Sequence, residues 1–282
     1  MLKITDLTKV YGKSTVKALD SVSLEVRSGE IFGFIGPNGA GKTTLIKVLT
    51  GILPFNEGTV EICGEDVKKN PRKAKLNVGY VPDSHIIYDK LTGREYVDFM
   101  ADIYGVGIEE RKSRAQKLLS SFSLTEDFDR PIKDYSHGMK QKISIIGALI
   151  HDPKLWVLDE PMTGLDPQSS YELKELMREH CRRGNAVFFS THVLDVAEKI
   201  CDKVGIILKG KIVMTGSMDE VREASKDGSL EDFFLSVAGK HEIAGMEDKP
   251  SIVSAPVEKQ NEPEEEKAEE TPAASVTEES EK

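Results

Sequence analysis

Cysteine and tryptophan are scarce in this sequence. Its 282 residues contain three cysteines and one tryptophan. The cysteines, Cys63, Cys181 and Cys201, are odd in number and lack the paired spacing of a metal site. This pattern argues against a disulfide framework and a cysteine-ligated metal. We expect the three to be buried thiols in a reducing compartment.

Long apolar runs and an excess of basic residues are also missing. No stretch approaches the roughly 20 apolar residues that a membrane-spanning helix needs, and the start of the chain does not resemble a signal peptide. The net charge of −10 argues against a nucleic-acid-binding body, so no nucleic-acid partner is expected. Since 39% of the residues are hydrophobic, the chain can fill a substantial core in one or two domains.

The negative charge is concentrated near the C-terminus. Residues 258–282 contain ten glutamates and three lysines, so they carry −7 of the total. With almost no large apolar side chains, this segment cannot bury enough surface to offset its ordering entropy. We expect a folded domain over 1–240 and a disordered acidic tail over 245–282, which either keeps the protein in solution or recruits a partner.

The most informative segment is Gly36-Pro37-Asn38-Gly39-Ala40-Gly41-Lys42-Thr43, here called the phosphate loop, which fits the pattern G-x-x-x-x-G-K-[ST]. It follows an apolar run typical of a buried strand, and a helical pattern begins at Thr44. Such a turn aims backbone N–H groups and the positive end of a helix at one point, which suits a triphosphate. We expect Lys42 to reach the β- and γ-phosphates and Thr43 to bind Mg²⁺. Apolar residues of the helix recur at Leu45, Val48, Leu49 and Ile52.

A second apolar strand, Leu155-Trp156-Val157-Leu158, ends in two acids. We expect Asp159 to hold Mg²⁺, directly or through water, and Glu160 to act as the general base for an attacking water. Many strands end in acids by chance, so this hypothesis depends on the presence of the phosphate loop.

Between these two sites, Tyr135-Ser136-His137-Gly138-Met139 precedes an apolar helix expected over 143–150. Ser136 can cap that helix, and Gly138 allows a backbone to approach a phosphate closely. With its position in the chain, the segment resembles the signature motif of ATP-binding-cassette (ABC) ATPases, usually Leu-Ser-Gly-Gly-Gln. Ser136 and Gly138 match that form. Taken alone, a capped core helix explains the segment equally well.

The resemblance covers residues 2 to about 217 and implies further roles. Tyr11 is similar to the aromatic residue that stacks on adenine, although ordinary packing also explains a tyrosine there. The loop Gly164-Leu165-Asp166 resembles the one that touches a partner subunit, and Asp166 also reads as a helix N-cap. His192 matches the histidine that senses the γ-phosphate. Asp83 departs from the family, which normally has glutamine there; its oxygen can still reach Mg²⁺ through water.

The implied fold is α/β, a P-loop NTPase core with a mostly parallel sheet, a flanking antiparallel β subdomain and a helical subdomain at about 91–152. Segments 2–30 and 58–68 are expected to form the antiparallel sheet. A capping box at Thr92 and Glu95 predicts a helix, a hairpin is expected over 206–213, and a last short helix over 230–237.

The resemblance implies a head-to-tail dimer, with each ATP between one subunit's phosphate loop and the other's signature segment. The chain would be the ATP-binding and ATP-hydrolysing subunit of an ABC transporter, most like bacterial ABC-2-type exporters. It would be peripheral on the cytoplasmic face of the cell membrane, with an integral membrane permease subunit and a second ATP-binding subunit as partners. Alternatives are a soluble ABC ATPase with a remodelling role and an idle regulatory cassette. Intact Lys42, Asp159, Glu160 and His192 argue against the latter.

Overall fold

The computed structural model describes residues 1–83, 88–224, 229–231 and 233–236. Its strands form a four-stranded sheet in the order β2-β1-β4-β5 and a six-stranded sheet in the order β10-β9-β3-β8-β7-β6. The strands are β1 Leu2–Val10, β2 Lys17–Val26, β3 Ile31–Ile35, β4 Glu57–Ile62, β5 Glu65–Asp66, β6 Val78–Val81, β7 Leu155–Asp159, β8 Ala186–Thr191, β9 Lys203–Leu208 and β10 Lys211–Ser217.

The helices connect and cover these strands. They are α1 Lys42–Leu49, α2 Pro71–Leu76, α3 Gly93–Ile103, α4 Ile108–Ser121, α5 His137–Leu149, α6 Pro167–Arg182, α7 Leu194–Ile200 and α8 Met218–Ala224, with a short 3-10 helix at Ile132–Asp134. Residues 230–231 and 233–236 are also helical. None of the helices in the described part of the chain is long and apolar enough to cross a membrane.

The smaller sheet is antiparallel throughout, as predicted. Strand β1 pairs with both β2 and β4, and β5 continues the sheet beyond β4. In the larger sheet β9, β3, β8, β7 and β6 run parallel, and β10 pairs antiparallel with β9 as the expected hairpin. The predicted mostly parallel core is therefore confirmed.

The parallel strands are buried on both faces, which explains their continuous apolar runs. Because side chains alternate across a strand, Leu155 and Val157 of β7 face the same cluster as Leu45 of α1. Trp156 and Leu158 face the cluster that contains α5 and α6. By the same alternation Asp159, two residues beyond Val157, lies on the α1 side of the sheet.

Helices α3 to α5 occupy the region predicted to be helical, at about 91–152. The capping box that starts α3 is confirmed: Thr92 Oγ1 accepts from Glu95 N at 3.2 Å, and Thr92 N donates to Glu95 Oε2 at 2.8 Å. Helix α5 begins at His137, earlier than the expected 143, because Ser136 Oγ accepts from Met139 N and caps the helix there.

Two expectations require correction. Ile52 does not extend the buried face of α1, because the helix ends at Leu49 and Gly51 turns the chain at φ 65°, leaving Ile52 59% exposed. Cys63 is exposed, whereas Cys181 and Cys201 are buried as expected. Cys63 lies in the tight turn between β4 and β5, where its φ is 52°. The end of the last predicted helix at Val237 and the predicted disordered tail over 245–282 lie outside the described residues.

Candidate nucleotide site

Most of the predicted site residues line a single open cleft. The phosphate loop and the start of α1 form one wall, and side chains from distant parts of the chain form the rest. The cleft is lined by Tyr11, Ala18, Pro37, Asn38, Gly39, Gly41, Lys42, Thr43, Thr44, Asp83 and Glu160. Residues 83 and 160 are brought to it by the loops that follow β6 and β7, since neighbouring parallel strands end at the same edge.

The phosphate loop requires glycine at specific positions. A Cβ on Gly36 would lie 2.4 Å from Ile207 O, and one on Gly41 would lie 2.6 Å from Ala18 O, both too close for any side chain. Gly39 and Gly41 also have φ of 80° and 115°, in the region that favours glycine. Helix α1 then begins without a side-chain cap and without an acid in its first turn. This geometry suits an anion at the positive end of the helix.

Lys42 is a nearly buried cation, with 6% of its surface exposed. Its Nζ donates to Gly36 O at 2.7 Å and to Pro37 O at 3.2 Å, and it lies 3.5 Å from Glu160 Oε1. Two carbonyl groups of the phosphate loop thus hold the Lys42 ammonium group, and Lys42 also lines the cleft.

Asp159 lies beneath the cleft and is 1% exposed. Burial raises the pKa of Asp159; hydrogen bonds from Ser190 and Thr43 oppose that rise, and the charges of Asp83 and Glu160 add to it. The carboxylates of Asp159 and Asp83 and the hydroxyl of Thr43 are hard oxygen donors of the kind that Mg²⁺ prefers, so these residues fit that ion. Their assignment as its ligands stays a prediction.

Glu160 is held by two basic groups and has an unusual backbone. Besides its contact with Lys42, Glu160 Oε1 lies 3.0 Å from His192 Nδ1, and the carboxylate accepts from His192 N at 3.4 Å. Its φ of 47° is uncommon for a residue with a side chain. The predicted general base and the predicted γ-phosphate sensor are therefore in direct contact.

Tyr11 stands at the edge of the cleft. The residue is 46% exposed, its hydroxyl lies 3.2 Å from Thr44 Oγ1, and Lys9 Nζ lies 5.3 Å from the ring centroid. An exposed ring tethered to the phosphate-loop helix can stack on a base. Adenine stacking by Tyr11 stays a prediction.

Ser136 and Gly138 do not line this cleft. The signature segment packs instead against the loop after β7: a Cβ on Gly138 would lie 3.1 Å from Gly164 O, and one on Gly164 would lie 2.2 Å from His137 Cδ2. Lys142 Nζ also lies 3.5 Å from Asp166 Oδ2. Asp166 caps α6, with Ser169 N donating to Asp166 Oδ1 at 2.8 Å, as predicted.

Ser190 contacts the acid pair and Gln141 contacts the residue that follows it, and sequence reasoning missed both. Ser190 Oγ donates to Asp159, and Gln141 Nε2 donates to Pro161 O at 3.1 Å, directly after Glu160. Alternation along β8 could have indicated Ser190, because it lies two residues after Phe188 on the α1 side of the sheet. No sequence signal distinguishes Gln141 from an ordinary helix residue.

Comparison with known proteins identifies the family. A family model described as ABC transporter matches residues 19–163. The chain belongs to the ATP-binding-cassette family. It is 35% identical to the linearmycin resistance ATP-binding protein LnrL of Bacillus subtilis, over 86% of this chain and 76% of that protein. It is also 35% identical to the bacitracin transport ATP-binding protein BcrA of Bacillus licheniformis, over 80% of this chain and 72% of that protein.

Solved structures agree with this assignment. The ATP-binding subunit of an ABC transporter aligns with a TM-score of 0.80 and 32% identity, covering 84% of this chain and 99% of that one. The cassette MJ0796, in a dimeric post-hydrolysis state with ADP and phosphate, aligns with a TM-score of 0.69 and 25% identity, covering 77% and 98%. The ABC cassette is thus an ATPase subunit that energises ATP-driven transport, and the predicted α/β P-loop fold is confirmed. Subunits of this family dimerise and work with membrane permeases.

Proposed function

We propose that this cassette drives a bacterial exporter of the ABC-2 type from the cytoplasmic face of the cell membrane. The observation that carries the ATPase chemistry is that Lys42 and Glu160 line one cleft with the phosphate loop, while Asp159 lies beneath it and bonds to Thr43. The names of two relatives refer to linearmycin resistance and to bacitracin transport, and they support export as the direction.

The proposed chemistry assigns one task to each residue. Lys42 and the N–H groups of the phosphate loop would hold the β- and γ-phosphates, and Tyr11 would support the base. Thr43 and Asp159 would hold Mg²⁺, with Asp83 contributing through water; when bound, the ion neutralises charge on the phosphates. Glu160 would take the proton of the attacking water, with His192 fixing its carboxylate.

A second ATP-binding subunit would complete each site. His137 and Gly138 lie against Gly164, and neither Ser136 nor Gly138 lines the cleft of its own chain. Ser136 caps α5 through its side chain, and Gly138 carries no side chain that would block an approaching phosphate. In a head-to-tail homodimer or a paired cassette, this segment would face the phosphate loop of the other subunit.

The membrane permease would dock on the exposed apolar surface that surrounds α3. Tyr88 is 61% exposed, Phe99 39% and Ile103 57%. Tyr88 and Phe99 contact edge to face, with ring centroids 5.5 Å apart, and line a shallow apolar groove with Leu91. Large apolar side chains clustered on a surface mark an interaction site. Tyr88 follows Asp83 by five residues in the sequence.

Site-specific photo-crosslinking in native membranes tests this function. A photo-reactive residue in place of Phe99 is expected to form an adduct with an integral membrane protein. The matched control is Tyr171 of α6, which is 57% exposed and does not line that groove. An adduct at neither position, together with recovery of all the native protein in the cytosolic fraction, would favour a soluble remodelling ATPase instead.

A further inference from the structure

Strand β8 carries one polar side chain into the sheet face that supports the phosphate loop. Asp159 of β7 pairs directly with Ser190 of β8, and Phe34 of β3 pairs with Ser190 on the other side. Ser190 has no exposed surface. Since it shares the face of Phe188 and α1, its hydroxyl is enclosed directly behind the acid pair.

The Ser190 hydroxyl contacts both acids at once. Its Oγ donates to Asp159 Oδ1, and the same oxygen accepts from Glu160 N at 3.2 Å. Glu160 N also lies 3.2 Å from Ser190 O. A hydroxyl has one donor and two acceptor positions, so it can make both contacts together. The Ser190 side chain thus joins the carboxylate of Asp159 to the backbone of Glu160.

The backbone of Glu160 needs such support. Its φ of 47° lies in the left-handed region, which a residue with a side chain adopts only when its surroundings hold it there. Ser190 holds the N–H from the sheet, and Thr163 N donates to Glu160 O at 3.2 Å from the following turn. On the other side Gln141 Nε2 binds Pro161 O. Without the first of these contacts, the direction in which the Glu160 side chain leaves the strand is less constrained.

We propose that Ser190 is a positioning residue that sets the Asp159 carboxylate toward Mg²⁺ and fixes the Glu160 backbone for its role as base. The inference rests on the proposed chemistry of the site, because it assigns Ser190 no contact with ATP. Loss of a positioning residue reduces the gain in ATP affinity that Mg²⁺ provides and leaves the affinity for ATP without Mg²⁺ unchanged. Loss of a residue with a general structural role changes both.

Calorimetric titration of ATP into the full-length protein, in EDTA and in Mg²⁺, tests the proposal. Ser190→Ala removes the hydroxyl and keeps the backbone carbonyl, whereas Ser190→Thr keeps the hydroxyl. The matched control is Ser144→Ala, which removes another buried hydroxyl, bonded to Tyr96 on α3. Thermal unfolding of each variant establishes that it is folded.

For Ser190→Ala we expect affinity for ATP in EDTA within about twofold of the parent, and a gain from Mg²⁺ smaller by about tenfold or more, the effect of one hydrogen bond to a charged group. Turnover should fall by at least as much, and Ser190→Thr should restore both. The proposal would be overturned if Ser190→Ala kept the full gain in ATP affinity from Mg²⁺, or if it lost ATP affinity equally in EDTA and in Mg²⁺. It would also be overturned if Ser144→Ala lost the same part of the gain from Mg²⁺. If the parent itself fails to bind Mg²⁺-ATP, the proposed function fails instead.

Discussion

Lys42 Nζ lies 3.5 Å from Glu160 Oε1, and His192 Nδ1 lies 3.0 Å from the same oxygen. The ammonium proposed to bind phosphate and the imidazole proposed to sense it therefore share one carboxylate. A phosphate entering the cleft would compete with Glu160 for Lys42. The charge of this glutamate consequently affects both nucleotide binding and the proposed chemistry.

Glu160→Gln should separate binding from hydrolysis. The amide cannot take a proton, so turnover should fall by about 10²- to 10⁴-fold, the usual contribution of a general base. Binding of ATP should be kept or strengthened, because Lys42 loses its anionic competitor. Calorimetric titration and a phosphate-release assay measure the two effects. Lys42→Ala is the comparison, and it should weaken binding itself. Wild-type turnover in Glu160→Gln would refute the assigned role.

Asp83→Gln should leave affinity for Mg²⁺-ATP nearly unchanged and change turnover modestly. Asp83 lines the cleft, and its charge adds to the rise that burial causes in the pKa of Asp159, so it acts on the site over a distance. The glutamine side chain keeps an oxygen ligand but removes the negative charge. Equilibrium binding and steady-state hydrolysis, measured side by side, are the readouts. Complete loss of nucleotide binding would show that Asp83 is instead a primary metal ligand or a structural residue.

The variant that traps ATP should also trap a dimer. Glu160→Gln with ATP and Mg²⁺ should double the molecular mass measured by light scattering, because the signature segment does not line the cleft of its own chain. Adding Ser136→Arg should abolish the dimer, since a bulky side chain would stand where phosphate must approach. Each monomer should still bind ATP. A dimer that survives Ser136→Arg would place a different surface at the interface.

Acid should destabilise the fold through His180. The side chain is 2% exposed, and burial, aided by the charge of Arg183, lowers the pKa of His180 from 6.5 to about 4. The neutral imidazole stabilises the folded state fully above pH 6.5, and that contribution is lost as the pH falls toward 4. At pH 5 the loss is about 2 kcal/mol.

Urea unfolding at pH 7 and pH 5 measures this loss. In His180→Gln the change in unfolding free energy between the two pH values should be smaller than in the wild type by that amount. Lys112→Gln, an exposed lysine of α4, should leave the change as it is in the wild type. If His180→Gln loses as much stability as the wild type, the buried imidazole is not the group that responds.

The elements predicted correctly are those whose causes lie within a few residues. The capping box at Thr92 and the N-cap at Asp166 each depend on groups three positions apart. The strand and helix periods around them indicated a parallel core between helices. Through the family resemblance, the same motifs indicated the ATPase.

The tertiary structure decided what depends on pairing and layering. The sequence alone did not show that Asp159 pairs with Ser190, because that contact depends on the register of two strands separated by α6. Nor did it show that Phe99 is exposed while Tyr96, three residues earlier on the same helix, is buried. Local spacing determines where an element starts, ends and turns; which of its faces is covered, and which distant side chain meets an acid, follows from how the sheet and helices stack.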